Sequence, residues 1–510
     1  MLAGVACGAL QGVDACRVDL EIDLARQGMP SFSIVGLAEG AVREAKERVF
    51  AALRNTGHKL PPSRITVNLA PASLRKGGSG YDLPLALGLL VAAGVIPQQR
   101  LNGLFVAGEL SLTGEIKPVP GVLPLALLAK ASGAHGVLVP KGNAAEAAVV
   151  AGLDVWGMAS LGEAVAFVAG KSDPCPHPCT AHDLWTQADH WHIDFAEVKG
   201  QEHAKRAIEI AAAGAHNMLM IGPPGSGKTM LAQRISTVLP PLSFDEALEV
   251  TKVYSVTGQL GEDNSLVTQR PFRTPHHTIS DPGLVGGGAH PRPGEVSLAH
   301  RGVLFLDELP EFKKSVLEVM RQPLEDGNVT ISRAAMSLSY PADFMLVAAM
   351  NPCPCGYLSD ERHVCHCTAA QIQRYRSRLS GPLLDRIDLH VEVAAVAYDD
   401  LRAAGKGENS AAMRERILRA REVQAGRYAG SLCLTNADLS GKWLEEYCRL
   451  GAAEHAFLEK AVTTLALSAR AYTRILRIAR TIADLSGQKD ISCANLAEAV
   501  NCRTLDRQTL

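Results

Sequence analysis

The sequence predicts a multidomain α/β protein, and three observations carry that prediction. Short apolar strands alternate with helical stretches from the N-terminus to about residue 170. An apolar strand then runs directly into GPPGSGKT and a helix, the strand–loop–helix context that a P-loop in a doubly wound α/β sheet requires. Beyond about residue 405 the chain reads almost entirely as helix. At 510 residues it is too long for one core, and roughly two to four domains are expected.

The N-terminal elements follow in order. Val18, Leu20, Ile22 and Leu24 alternate with acidic residues, the mark of a half-buried strand. SFSIVGL is a second strand, AEGAVREAKERVFAALRNTG a helix stopped at Gly57, ITVNLA a strand and DLPLALGLLVAAG a buried helix. FVAGEL and EIKPV are strands joined through LTG; VLPLALLAKASGA, GVLVP, NAAEAAVVAG, DVWGM and LGEAVAFVAG continue the alternation. Residues 1–170 therefore read as one α/β or α+β domain. The polar, Pro- and His-rich stretch 171–192 reads as a tether, or as a metal clip through Cys175, His177 and Cys179. A second α/β domain spans 193–400, and a helical domain spans 405–510.

Composition narrows the class. The hydrophobic fraction of 47% and charged fraction of 20% are ordinary for a globular chain. With a net charge of −2, any nucleic-acid surface must be local. The longest apolar run, Leu83 to Ile96, is too short to span a bilayer. No basic residue precedes Arg17, so the N-terminus does not read as a secretory signal. The 12 cysteines then point to reduced thiols or metal, and to the cytoplasm without a membrane association.

The phosphate site is the most specific signal. In Gly222-Pro223-Pro224-Gly225-Ser226-Gly227-Lys228-Thr229 the glycines let backbone N–H groups wrap phosphates, and the following helix adds its dipole. Lys228 is expected on the β- and γ-phosphates of ATP and the Thr229 hydroxyl on Mg²⁺. GVLFLDELPEF supplies a buried strand ending in Asp307 and Glu308, where a doubly wound sheet binds its ligand. Asp307 would hold Mg²⁺ through water, and Glu308 would orient or deprotonate the attacking water. FMLVAAMN is a third strand, ending in Asn351, which either touches the γ-phosphate or is a turn residue.

These strand ends resemble an AAA+ ATPase: Walker A, Walker B and a sensor Asn. The wider wording KGQEHAKRAIEIAAAGAHNMLMIGPPGSGKT, FRTPHHTIS, LFLDELPEF, AAMNPCPCG, GPLLDRIDL and SARAYTRILRIARTIADL resembles the magnesium-chelatase-like ComM/YifB family over essentially the whole chain. The resemblance implies a Lon-protease-like (S5-like) N-terminal domain, an AAA+ core and a C-terminal helical lid. It also implies a hexameric DNA helicase that promotes branch migration in recombination and natural transformation, in the company of recombination proteins. Arg386 in LLDRID matches the arginine finger, worth ~10³–10⁵ in rate and acting on a neighbouring subunit; without the family it reads as a surface ion-pair former. Arg470 matches sensor 2, with Arg474 as second choice. Arg470, Arg474, Arg477 and Arg480 share one helix side, which a solvated face explains equally well.

A Lon protease pairs a serine nucleophile with a lysine amine. The resemblance through RKGGSGYDLPLALGLL and GEIKPVPGVLPLALL puts Leu123 at the lysine position and Ser79 or Gly80 at the serine. Leu123 accepts no proton, and Lys130, two helical turns on, is the alternative base. Proteolysis is not expected.

Cys353, Cys355, Cys365 and Cys367 form two C-x-C pairs nine residues apart. Four thiolates around Zn²⁺, free thiols or a redox switch all fit that spacing, with His363 and His366 as replacement ligands. Zinc would hold the exit of the sensor strand toward Arg374, Arg376 and Arg378. Two excursions, FRTPHHTISDPGLVGGGAHPRPGEV and NVTISRAAMSLSYPADF, resemble pore elements. They place Arg292 and Arg333, with His276 and His277, on single-stranded or branched DNA phosphates, or on acidic neighbours and internal packing. The expected activity is ATP hydrolysis driving a DNA motor. The rivals are a partner-remodelling ATPase like the chelatase motor subunit and an ATP-dependent protease.

Overall fold

The computed structural model describes residues 2–25, 29–179, 191–261, 265–288, 291–333, 336–358, 360, 362–395, 407–431 and 433–503. Half of the expected tether, residues 180–190, lies outside this set. Within it Cys175 and Cys179 are exposed, and the His177 ring sits 3.0 Å from the Pro178 carbonyl oxygen. The chain forms two compact units. The first comprises Met1–Asp189, Ser243–Gln269 and Ser332–Tyr340; the second comprises His190–Leu242, Arg270–Ile331 and Pro341–Leu510.

In the first unit, β1 (Leu2–Gln11) and β2 (Asp14–Ala25) make an antiparallel hairpin with Gln11 opposite Asp14. Gly12, at φ 69°, takes the left-handed turn position. The small-residue run LAGVACGALQ does not advertise β1, yet Ala3, Val5, Cys7 and Ala9 alternate into the core. The chain continues through β3 (Ser31–Val35), β4 (Arg64–Ala70), β5 (Leu104–Val106), the short hairpin β6 (Glu109–Leu110) and β7 (Ile116–Lys117), β8 (Gly136–Pro140) and β9 (Asp154–Met158). The main sheet runs β3-β4-β2-β1-β5-β8-β9 and is mixed, with β1, β2 and β4 antiparallel and the outer pairs parallel.

Helices α1 (Gly40–Asn55), α2 (Asp82–Ala92), α3 (Val122–Ala131), α4 (Ala144–Ala147) and α5 (Leu161–Val168) complete this unit with the helix Phe244–Thr257. Every residue of α2 is buried, as its unbroken apolar run requires. Its one carboxylate, Asp82, is held bidentately by Arg48 at 2.7 and 2.9 Å. The helix Phe244–Thr257 packs along α3, and Ser255 donates a hydrogen bond to the buried Glu146 carboxylate. Glu146 also accepts the Leu123 amide (2.9 Å) and the Asn143 side chain (3.0 Å). Burial pushes the Glu146 carboxyl up, and these donors pull it down.

The second unit is built on five parallel strands in the order β11 (Phe272–Arg273), β14 (Val303–Leu306), β17 (Met345–Met350), β10 (Met218–Ile221) and β18 (Leu389–Glu392). β10, β14 and β17 are buried along their whole length, which explains their lack of polar alternation. Two two-stranded hairpins lie outside this sheet: β12 (Gly286–Gly287) with β13 (Arg292–Pro293), and β15 (Asn328–Arg333) with β16 (Met336–Pro341). The helices Ser410–Arg427, Ala469–Leu485 and Cys493–Asn501 share one apolar core with the sheet through Ile417, Ile475, Ile482 and Leu496. No helix among the described residues is long and apolar enough to cross a membrane.

Candidate functional site

The parallel sheet places three strand ends side by side. β10 ends before the loop Gly222–Gly227, Asn351 directly follows β17 beside it, and Asp307 directly follows β14. The loop needs its glycines. A Cβ on Gly222 would fall 2.1 Å from the Val393 carbonyl oxygen, and Gly225 and Gly227 have φ of 74° and 89°. The helix Lys228–Val238 starts immediately after, so its free N–H groups face the loop.

Lys228 Nζ donates to the carbonyl oxygens of Gly222 (2.7 Å) and Pro223 (2.9 Å) and lies 3.3 Å from Asn351 Oδ1. Burial lowers the pKa of this amine, and Asp307 pulls it back up. The amine is thus held on the loop's own carbonyls, close to the place where phosphate oxygens would replace them. Thr229 Oγ1 donates to Asp307 Oδ2 at 2.8 Å. A hydroxyl and a carboxylate so close form the all-oxygen donor set that suits Mg²⁺.

Two residues join the site that spacing did not assign to it. Glu308 takes the left-handed conformation at φ 52°, unusual for a non-glycine residue. Its carboxylate lies 3.5 Å from His277 Nδ1, and the His276 and His277 rings are 4.1 Å apart. His277 therefore sits against the Glu308 carboxylate. Gln201 precedes the helix Glu202–Gly214 and reaches the Ser226 carbonyl oxygen with its side-chain amide (3.3 Å). Isolated His and Gln residues carry no spacing signal, so only the fold reveals these two.

The arginines form a separate group. Arg386 donates to Glu325 and to the Pro382 carbonyl oxygen. Its guanidinium pKa is lowered by burial first and then by Arg321, Arg470 and Arg474. Arg470 pairs with Asp385 at 2.6 Å, its side chain 68% exposed, and Arg474 pairs with Asp388. Burial pushes the Asp388 carboxyl up, but Arg474 and His216 outweigh it and hold it well below the usual carboxylate range. Arg480 is buried on Asp484 and on the Gln488 and Lys489 carbonyl oxygens, a structural role. Among the described residues, none of the contacts of Arg386, Arg470 or Arg474 is to the P-loop. Each of the three instead pairs with a carboxylate of its own chain, Glu325, Asp385 and Asp388 respectively.

The four cysteine sulfurs lie within 4.8 Å of one another and are the only such group of potential metal ligands among the described residues. Sulfur–sulfur distances are 3.3 Å (Cys353–Cys355), 3.7 Å (Cys353–Cys365) and 3.6 Å (Cys355–Cys365). A tetrahedron with Zn–S bonds of about 2.3 Å has edges of about 3.8 Å, so the donor set fits zinc. His363 instead holds Asp360 at 2.7 Å. The turn also bears on the P-loop: a Cβ on Gly356 (φ 87°) would lie 2.6 Å from Pro224 Cδ.

In the first unit, the Ser79 hydroxyl donates to Glu109. The Leu123 side chain is 0% exposed, and Lys130 is exposed in the last turn of α3. Among the described residues no lysine amine bonds Ser79. Arg292 is exposed on β13; Arg333 ends β15, and its side chain lies outside the described residues.

Three family models match: "Magnesium chelatase, subunit ChlI" over 194–401, "Subunit ChlI of Mg-chelatase" over 20–143 and "Magnesium chelatase, subunit ChlI C-terminal" over 407–503. The chain is 45% identical to the competence protein ComM of Haemophilus influenzae, over 99% of this chain and 98% of that one. It is 42% identical to the uncharacterized protein YifB of Salmonella typhimurium, over 99% and 98%. A partial likeness, 29% identity over 31% of this chain and 33% of the other, links it to Lon protease 2 of Bacillus subtilis. AAA+ proteins of this kind imply ATP and Mg²⁺, which the oxygen donors and the loop accommodate. The chain belongs to the magnesium-chelatase-like ComM/YifB family.

Proposed function

We propose that this protein is an ATP-driven hexameric motor that moves along DNA and drives branch migration of recombination intermediates. The observation that carries the ATPase is the convergence of Lys228, Thr229, Asp307 and Asn351 at the ends of three adjacent parallel strands. Lys228 leaves the Gly222 and Pro223 carbonyls for the β- and γ-phosphates. Glu308, steadied by His277, orients the attacking water, and Asn351 holds the γ-phosphate side. Thr229 and Asp307 would hold Mg²⁺, which would supply neutralising charge to the phosphates.

Arg386 completes the pocket of the next protomer, with Arg470 and Arg474 beside it. The support is that all three find partners away from their own P-loop. DNA as the track rests on the full-length likeness to a competence protein. Arg292 and Arg333, each on a hairpin, are the residues we assign to DNA phosphates. We read 1–170 as a Lon-like domain without a working dyad, 171–192 as a tether, 193–400 as the AAA+ core and 405–510 as the helical lid, working in the cytoplasm with recombination proteins. Cys353, Cys355, Cys365 and Cys367 hold a structural Zn²⁺.

The deciding experiment is ATP-dependent movement of a labelled three- or four-way junction. The wild type moves it and Lys228→Ala does not. Failure of movement, with ATPase raised by a partner protein and not by DNA, would support the second reading, a remodelling ATPase like the chelatase subunit, which the three chelatase-family matches favour.

A further inference from the structure

The first unit contains a groove to which neither the nucleotide site nor the emptied Ser79 site gives a role. Its volume is about 670 Å³. β3 closes one edge of the seven-stranded sheet, with β4 as its one strand neighbour among the described residues, and Phe32 of β3 and Phe50 of α1 both line the groove. The two rings meet edge to face, ring centres 5.5 Å apart. Both are half-buried, so each keeps part of its surface toward the groove. The rim carries Lys46, Arg54, His58 and Lys59. Lys46 Nζ lies 5.8 Å from the Phe32 ring centre and 3.7 Å from Glu47, the one carboxylate in the lining. Among the described residues Arg54 and Lys59 have no ion-pair partner, and both are exposed.

Resting on the DNA-motor reading, we infer that this groove is a second DNA site, which takes one or a few unstacked nucleotides of a single strand. The chemistry is specific to that ligand. Half-exposed aromatic rings offer a base a stacking surface of any sequence, and fixed cations around them meet the phosphates on either side. The Lys46 ammonium over Phe32 passes to a phosphate as a base takes the ring face. Duplex DNA keeps its bases stacked and inaccessible, so the groove selects the frayed or displaced strands of a junction. A protein fold that has lost its proteolytic base thereby has a use in the motor: it retains one strand while the ATPase unit works.

The test uses the full-length protein and an oligothymidylate carrying iododeoxyuridine, photocrosslinked and mapped by mass spectrometry. The expected result is crosslinking to Phe32 or Phe50, in addition to any in the second unit. Arg54→Gln with Lys59→Gln should lower the slope of log affinity against log salt by about 1.4, at about 0.7 for each phosphate no longer neutralised. Phe32→Ala should weaken binding about fivefold or more, and its ATPase rate without DNA should stay at the wild-type value, which shows that the variant is folded. Crosslinks confined to the second unit and to the hairpin β15–β16, with the salt slope unchanged in the double variant, overturn the groove while the motor stands. Absence of any crosslink and of DNA-stimulated ATPase overturns the motor and the groove together. Displacement of the oligonucleotide by an acidic peptide, but not by unlabelled DNA, assigns the groove to protein and ends the proposal.

Discussion

Two loops that lead into buried helices have had opposite chemical fates in this protein. Around Gly222–Gly227 the polar side chains converge, with Lys228 on Asn351 and Thr229 on Asp307 within hydrogen-bonding reach. At Gly77–Tyr81, before α2, the backbone turn persists and the α2 core is fully buried. There the Ser79 hydroxyl meets Glu109, and a leucine stands where the resemblance puts an amine. The difference shows that packing and chemistry are separable. Leu123 fills the core and stabilises the fold, but it cannot take a proton.

The largest effect that can break this comparison is expected at Arg386. Arg386→Ala should lower phosphate release by about 10³-fold or more while nucleotide still binds. Mixing it with Glu308→Gln should restore part of the rate, because each variant supplies what the other lacks. Unchanged turnover in Arg386→Ala alone would remove the case for a shared pocket.

Next in size is the cysteine turn. Stripping metal, or changing Cys365 and Cys367 to Ser, should loosen the close approach of Gly356 to Pro224 and cut ATPase roughly ten- to a hundredfold. Metal analysis of the purified protein should find about one zinc per chain. Full activity in metal-free wild type would leave the turn a mere neighbour of the loop. His277→Ala comes third, with turnover down roughly tenfold and the KM for ATP nearly unchanged, since the contact of His277 is with the Glu308 carboxylate.

A pH series sharpens the comparison from the side of stability. Burial, then Arg503, holds the His390 imidazole down to about 3, against 6.5 for the free group. The folded chain keeps this ring neutral, while the unfolded chain protonates it below 6.5. Its contribution is therefore complete above that pH and is lost progressively as pH falls from 6.5 toward about 3. The urea midpoint should fall over this window, and His390→Leu should flatten the fall. Parallel curves would assign the acid sensitivity elsewhere. The smallest effect is expected at Ser79: Ser79→Ala should leave ATPase unchanged, and neither it nor the wild type should cleave casein.

Much of the fold is legible from residue order. The strands ITVNLA, GVLVP, MLMI and VLFL and the helix DLPLALGLLVA lie where their periodicity places them. β1 escapes such a reading because Ala, Gly and Cys carry little hydrophobic contrast. The grouping of Ser243–Gln269 with the first unit is equally hidden. An amphipathic helix announces that it has an apolar face, not which surface will cover it. The cysteine spacing permits three readings, and what it does not give is the mutual approach of the four sulfurs, which could hold a metal ion.

By itself the sequence determined the local chemistry: a loop that only glycine can make, a lysine and a threonine after it, and carboxylates and an amide at apolar strand ends. Those depend on neighbours within a few residues. The tertiary structure alone decided which distant side chains meet, putting His277 on Glu308, Gly356 on Pro224, Arg470 on Asp385 and Glu146 on Ser255. Such contacts follow from how strands order themselves in a sheet and how helices cover it. That order is set by burial summed over the whole chain, which no short stretch of residues encodes.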